Sequence, residues 1–236
     1  MNSEFAKKLA AIIKANAPLP EFFEELSLDD AYRLQHEVTQ VRTEGDVGGI
    51  KAGVTSPAFQ QFFGLRHALL GSLYADGQRE GGCTLPYLEG RAIECEVAVL
   101  LDRYGRPIGM APAFEIVFLK FSRPDDMTAA NLVASNLGAD LYIVGEMQDW
   151  DEDFPNTPIV LRCNGDVVNE TSTAEAIGGP QRASVWMWQE ARSRGFSVGD
   201  KTLLLTGACG SLVPAQPGYY EADFGPLGRV GFEVAA

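Results

Sequence analysis

Histidine is almost absent from this chain. Only His36 and His67 occur in 236 residues. Two imidazoles cannot build a histidine-rich metal site, and without a Gly-x-Ser-x-Gly elbow a Ser-His-Asp hydrolase has no support. Cysteine is also sparse. Cys83, Cys95, Cys163 and Cys209 stand far apart with no Cys-x-x-Cys pair, so neither a zinc knuckle nor a disulfide framework fits, and reduced thiols do. No apolar run approaches the ~20 residues that span a bilayer. Basic residues are few, 19 Lys and Arg against 32 Asp and Glu. The net charge of −13 argues against a nucleic-acid partner or an anionic membrane, since phosphate binding needs a basic surface. A small anionic substrate stays open, because a bound cation inverts the local field. The opening residues lack the basic-then-apolar order of a signal peptide, so a cytoplasmic location is expected.

What remains is ordinary for a globular protein: 46% hydrophobic and 22% charged residues, enough for one good-sized core. The chain divides into an N-terminal helical segment, 1–45, and a strand-rich body, 46–236. Phe5, Leu9, Ile12 and Ile13 make one apolar face of a first helix, and Ser27-Leu28-Asp29-Asp30 reads as the capped start of a second, Ala31–Arg42. The body carries strand patterns at Ile93–Leu101 and Ala113–Leu119, with a turn at Asp102–Arg106 between them. Helices are expected over Met127–Leu137 and Pro180–Arg194, each closed by a glycine. Strands outnumber helices without regular βαβ alternation, which predicts a mixed α+β fold.

The chemistry concentrates at Glu94-Cys95-Glu96. Alternation along a strand sends both glutamates to one face, and Glu115 sits on the next strand pattern. Three carboxylates at the mouth of a core suit a hard cation such as Mg²⁺ or Mn²⁺; a solvent-facing strand end is the plainer reading. Lys51, between glycines in GGIKAGVTS, reads either as a surface lysine or as a group that binds a carboxylate or moves protons. The Leu205–Gly210 loop could offer N–H groups to a carboxylate or be a simple turn. His36 reads as a helix-packing or surface residue, and His67 lies in a loop. Of Trp186 and Trp188, two apart on a helix, at least one belongs to the core. The acidic run Asp149–Asp153 reads as a solvated loop.

Taken in order, KAGVTS (51–56), GSLY (71–74), ECEVAVLL (94–101), FEIV (114–117), LTGACG (205–210) and ADFGPLG (222–228) resemble one family. It is the 2-oxopent-4-enoate hydratase and 4-oxalocrotonate decarboxylase family, within the fumarylacetoacetate hydrolase-like fold. The resemblance runs from about residue 27 to near the end. It implies a mixed β-sheet roll or barrel with flanking helices, and a metal-dependent lyase acting on small 2-oxo or 2-hydroxydienoic acids in aromatic catabolism. By the same resemblance Glu94, Glu96 and Glu115 hold Mg²⁺ or Mn²⁺, Lys51 is catalytic, and Thr55, Ser56, Thr206 and Gly207 bind substrate. The Thr206–Gly207 loop would close over that substrate, and the protein would assemble as a homo-oligomer. This chain departs from the family at three usually polar places, which here are Leu69, Phe118 and Ser135. The metal-enolate half of the chemistry is therefore expected to survive while the partner chemistry changes. Decarboxylation or tautomerisation of another 2-oxo acid, or a non-catalytic binding subunit, are the alternatives to a hydratase.

Overall fold

Glycine-punctuated, β-branched runs dominate the chain beyond residue 45, and they pair into two sheets. The computed structural model describes residues 3–22 and 25–236. Met1, Asn2, Phe23 and Glu24, which belong to the expected N-terminal segment, lie outside the described residues. In chain order come helices α1 (Ser3–Lys14) and α2 (Leu28–Thr43), strand β1 (Val47–Gly53) and helix α3 (Pro57–Phe62). Strands β2 (Leu69–Tyr74), β3 (Gln78–Arg79) and β4 (Thr84–Pro86) lead into the long hairpin of β5 (Arg91–Leu101) and β6 (Pro107–Phe118). Helix α4 (Ala129–Ala134) precedes β7 (Ala139–Val144), β8 (Gln148–Asp149), β9 (Pro158–Cys163) and β10 (Asp166–Ser172). Helix α5 (Pro180–Ser193) and strands β11 (Leu203–Leu205), β12 (Val213–Pro214), β13 (Gly218–Asp223) and β14 (Arg229–Ala235) complete it.

The larger sheet runs β2-β1-β11-β5-β6-β7-β3, with β12 and β8 adding to β5 and β6. It curls until β2 meets β7, so side chains on its concave face converge. The second sheet runs β10-β9-β13-β14-β4. The mixed α+β roll expected from the sequence is thus the observed architecture. Chain reversal inside the long hairpin follows from Asp102, whose Oδ1 accepts from the amides of Tyr104 (2.8 Å) and Arg106 (2.9 Å). That early turn lets β6 start at Pro107, well before the expected Ala113.

Helix α2 begins where Ser27 accepts from the Asp30 amide at 3.1 Å, and it shields the outer edge of β2. The Tyr32 hydroxyl accepts from the Leu70 amide (3.0 Å), and Gln35 Nε2 donates to the Leu70 carbonyl (3.0 Å). An edge strand that would otherwise invite pairing is closed by two side chains. His36 packs as read: Nε2 lies 2.7 Å from the Arg194 carbonyl, with the ring edge-on to Phe196. In α1 the buried residues are Ala6, Leu9 and Ala10, while Phe5, Ile12 and Ile13 are only partly covered. The alanines turn inward because α1 packs against α2, and small side chains let helices approach.

One expected helix is corrected. The run Met127–Leu137 is helical only over Ala129–Ala134, and Asn136 and Leu137 adopt left-handed backbone angles, φ 56° and 53°. Asn136 turns its amide onto β2, accepting from the Ser72 amide (2.7 Å) and donating to the Ser72 carbonyl (2.8 Å). Those two buried bonds override the local helical preference.

Candidate active site

The β5–β6 register sets Glu94 directly opposite Glu115, with Glu96 two residues further along the same face. Both strands are central in the curled sheet, so this face looks into the roll. Glu96 and Glu115 are fully buried and Glu94 is half-buried. The three carboxylates can each bring one oxygen within 4.8 Å of the others.

Lys51 joins them from β1. It is 2% exposed, and its Nζ stands 2.8 Å from Glu115 Oε1, an ion pair whose angles do not make a hydrogen bond. Nζ donates instead to the Leu137 carbonyl at 2.9 Å. The break after α4 supplies that carbonyl, because a helix continuing through Leu137 would turn it along the helix axis. Gly71, paired with Lys51 across β1 and β2, leaves the room. A Cβ there would lie 3.2 Å from Lys51 Cε and 3.0 Å from Asn136 Oδ1. The surface reading of this lysine does not hold.

Burial is the leading influence on Glu94, Glu96 and Lys51. It pushes the Glu94 carboxyl up to about 7, helped by the Glu115 carboxylate and opposed by Lys51. Burial, with Glu115 and Glu94, also raises Glu96 well above the usual carboxylate range, against the Gly207 amide and Lys51. For Lys51, burial favours the neutral amine, but the surrounding glutamates outweigh it and the ammonium is held. Glu96 Oε1 and both oxygens of Glu115 accept no hydrogen bond. Two buried carboxylates with free lone pairs, a third half-buried beside them and a single lysine leave negative charge uncompensated. An all-oxygen donor set of this kind fits a hard divalent cation.

The remaining expected residues take different places. Gly207 donates its amide to Glu96 Oε2 (2.8 Å), and the Thr206 hydroxyl donates to the Val97 carbonyl (2.9 Å). Both therefore brace the glutamate strand from β11's end. Gly207 is obligatory, with φ 103° and Thr55 Cγ2 2.3 Å from where a Cβ would sit. Thr55 and Ser56 line a cavity of about 640 Å³ together with Glu94, Phe59, Glu175 and Ala208. A second cavity of about 530 Å³ shares Thr55, Pro57 and Glu175 with it and is lined further by His67, Arg182 and Trp186. Leu69 is fully buried at the start of β2. The Ser135 hydroxyl is used within α4, donating to Asn131 O, and Phe118 lies on the face of β6 opposite Glu115. Sequence reading missed Asn136, Leu137, Glu175 and Arg182. Only Asn136 left a signal, a polar residue just ahead of Gly138 in an otherwise apolar run.

No family model matches the chain. It is similar to "2-keto-4-pentenoate hydratase" of Paraburkholderia xenovorans (strain LB400), 28% identical over 93% of this chain and 88% of that protein. It is 27% identical to "4-oxalocrotonate decarboxylase" of a Pseudomonas sp, over 86% of this chain and 82% of the other. Among solved structures, 4-oxalocrotonate decarboxylase from Pseudomonas putida G7, complexed with magnesium and adipate, superposes with TM-score 0.88 at 21% identity, covering 99% and 98% of the two chains. Fumarylpyruvate hydrolase from Pseudomonas aeruginosa, in complex with Mn²⁺ and pyruvate, gives 0.61 at 14% identity, over 79% and 88%. The fold is that of fumarylacetoacetate hydrolase-like proteins.

Proposed function

We propose that this chain, a relative of the 2-keto-4-pentenoate hydratases and 4-oxalocrotonate decarboxylases, is a divalent-metal-dependent lyase acting on a small 2-oxo or 2-hydroxydienoic acid. The observation that carries this reading is the buried Glu94–Glu96–Glu115 cluster beside Lys51, open on one side to a cavity. Glu94, Glu96 and Glu115 would hold Mg²⁺ or Mn²⁺, which when bound supplies Lewis-acid polarisation of a 2-oxo group. Gly207 keeps Glu96 aimed through its amide, and Thr206 keeps the supporting strand in place. Lys51 is positioned to meet the substrate carboxylate or to move a proton at Nζ. Neutralising the three glutamates would leave burial as its main influence, and burial favours the neutral amine. Thr55 and Ser56 would contact the substrate from the cavity wall.

Hydration follows from ketonisation of a dienol and addition of water to the conjugated alkene. A decarboxylase is the second reading, and Leu69 favours it. At a position that is usually acidic, this side chain is apolar and fully buried, so it cannot deliver water. Release of carbon dioxide during turnover separates the two. The site assignment is tested by NMR of hydrogen–deuterium exchange at C3 across a panel of 2-oxo acids with Mg²⁺ or Mn²⁺. Metal-dependent exchange that disappears in Glu96→Gln is the expected result. No exchange with any acid, despite measured metal binding, would remove the enolate chemistry and leave a binding subunit.

No helix among the described residues is long and apolar enough to cross a membrane. We place the protein in the cytoplasm as a homo-oligomer. Exposed Phe59 and Phe62 on α3, together with Leu212, are apolar surface that a neighbouring copy would cover. Light scattering of the purified chain checks the assembly.

A further inference from the structure

Water adds to a conjugated alkene at the carbon remote from the 2-oxo group, so the base that activates it must stand away from the Glu94–Glu96–Glu115 cluster. The cavity beside Glu94 shares Thr55, Pro57 and Glu175 with the outer cavity. A 2-oxo acid anchored at the glutamates therefore directs its remaining carbons outward past Thr55. Among the described residues lining the two cavities, Glu94, Glu175 and His67 are the side chains able to take a proton. Glu94 belongs to the cluster. Glu175 is exposed, with no side-chain hydrogen bond or ion pair to aim it.

His67 is aimed. Its Nδ1 lies 2.8 Å from the Ala68 carbonyl. That oxygen can only accept, so Nδ1 carries the proton and Nε2 presents a lone pair. Ala68 is buried at the entry to β2, which fixes the acceptor in place. The Trp186 ring packs beside the imidazole, 6.1 Å away between centroids and tilted by 49°. Nε2 has no partner among the described residues, and the half-buried ring forms part of the outer cavity wall. Imidazole as a side-chain type exchanges a proton near neutral pH, which suits a general base. Leu69, two residues on, is apolar and fully buried, so His67 is the proton acceptor that this segment offers.

We infer that His67 is the general base of the hydration step, taking a proton from the water that adds to the substrate's alkene. This inference rests on the reading of the glutamate cluster as the anchor for the 2-oxo end. Ketonisation of the dienol yields a 2-oxo-3-enoate. The water oxygen then bonds to C4 as one of its O–H bonds breaks, and that proton passes to His67 Nε2. The C3=C4 electron pair moves toward C2 and leaves an enolate. C3 takes a proton from solvent through Lys51 Nζ, and His67 returns its own to solvent, so the net change is one water added. Glu175, in the same cavity, gives the transient imidazolium an opposite charge.

The test gives 2-hydroxypenta-2,4-dienoate to the Mg²⁺-loaded protein and follows its products by NMR, beside C3 hydrogen–deuterium exchange of 2-oxopentanoate. Wild type should form 4-hydroxy-2-oxopentanoate. His67→Asn keeps a donor for the Ala68 carbonyl but loses the basic nitrogen. Hydration in this variant should fall at least about 100-fold while 2-oxopent-3-enoate accumulates. Exchange at C3 depends on the cluster and Lys51, so it should continue there and report that fold and anchor persist. Glu175→Gln should still hydrate. Hydration that survives His67→Asn, or that is lost in Glu175→Gln instead, would overturn the assignment while exchange kept the catalytic reading intact. Loss of exchange together with hydration in both His67→Asn and His67→Gln would make His67 a structural residue and overturn it as well. Carbon dioxide release by the wild type in place of water uptake would also overturn it and leave the enolate chemistry standing. No exchange in the wild type, despite measured metal binding, would overturn both readings.

Discussion

Replacing Glu94 with glutamine should stabilise the metal-free protein at pH 8. Folding moves this carboxyl from 4.5 to about 7, chiefly by burial and the Glu115 carboxylate. A carboxyl whose pKa rises on folding favours the fold while protonated. Its contribution is therefore complete below about pH 4.5 and is lost as pH climbs through about 7. Ionising Glu94 above that range costs the metal-free fold at most about 3 kcal/mol, and its partial exposure to solvent brings this to roughly 1–2 kcal/mol. For a chain of this length each kcal/mol moves the midpoint by roughly 2–4 °C. Glu94→Gln should thus raise the Tm of chelator-treated protein by several degrees at pH 8, with the difference fading toward pH 4.5. Added Mg²⁺ or Mn²⁺ should reverse the ranking at pH 8, because the wild type keeps a ligand that the variant lacks and metal affinity grows as its carboxylates ionise. Differential scanning calorimetry across pH, with and without metal, reads all of this. A variant less stable than wild type at pH 8 without metal, or a difference that ignores pH, would refute the electrostatic argument.

Lys51→Met should cost the metal-free protein roughly 3–5 kcal/mol, since it leaves the buried Glu115 carboxylate without its cation; denaturant unfolding measures it, and C3 exchange should fall by at least about 100-fold. Gly71→Ala should slow turnover more than it lowers Tm, because the new methyl presses on Lys51 Cε and Asn136 Oδ1 without entering the cavity; steady-state kinetics beside a melting curve separate the two. Asn136→Ala removes both bonds to Ser72 and should destabilise by about 1–3 kcal/mol. It should also impair Lys51 through the displaced Leu137 carbonyl, seen as a loss of exchange larger than the stability change explains.

Where the chemistry depends on neighbours in sequence, it was legible from the chain. Strand alternation alone put Glu94 and Glu96 on one face, and the Asp102 turn placed Glu115 on the partner strand. The Ser27 cap announced α2, and the ordered motifs indicated the roll. The Met127–Leu137 helix failed because its last residues answer to β2 and Lys51, and neither partner is local. Thr206 and Gly207, expected over the substrate, have a structural task that sequence did not show, donating to Val97 and Glu96.

The sequence by itself determined that this is an acidic, reduced-thiol α+β protein with a carboxylate cluster in place of a histidine or cysteine site. Periodicity and composition carry that information residue by residue. Only the tertiary structure decided the fate of Lys51. In sequence it is a lysine among glycines, and a place on the surface is the plainer reading. The curl of the sheet closes the distance between β1 and β6, and the left-handed break at Asn136 and Leu137 delivers a carbonyl to its ammonium. The joining of Arg182 and His67 to the same cavity has the same origin. Both outcomes depend on packing between segments dozens of residues apart, which local patterns do not encode.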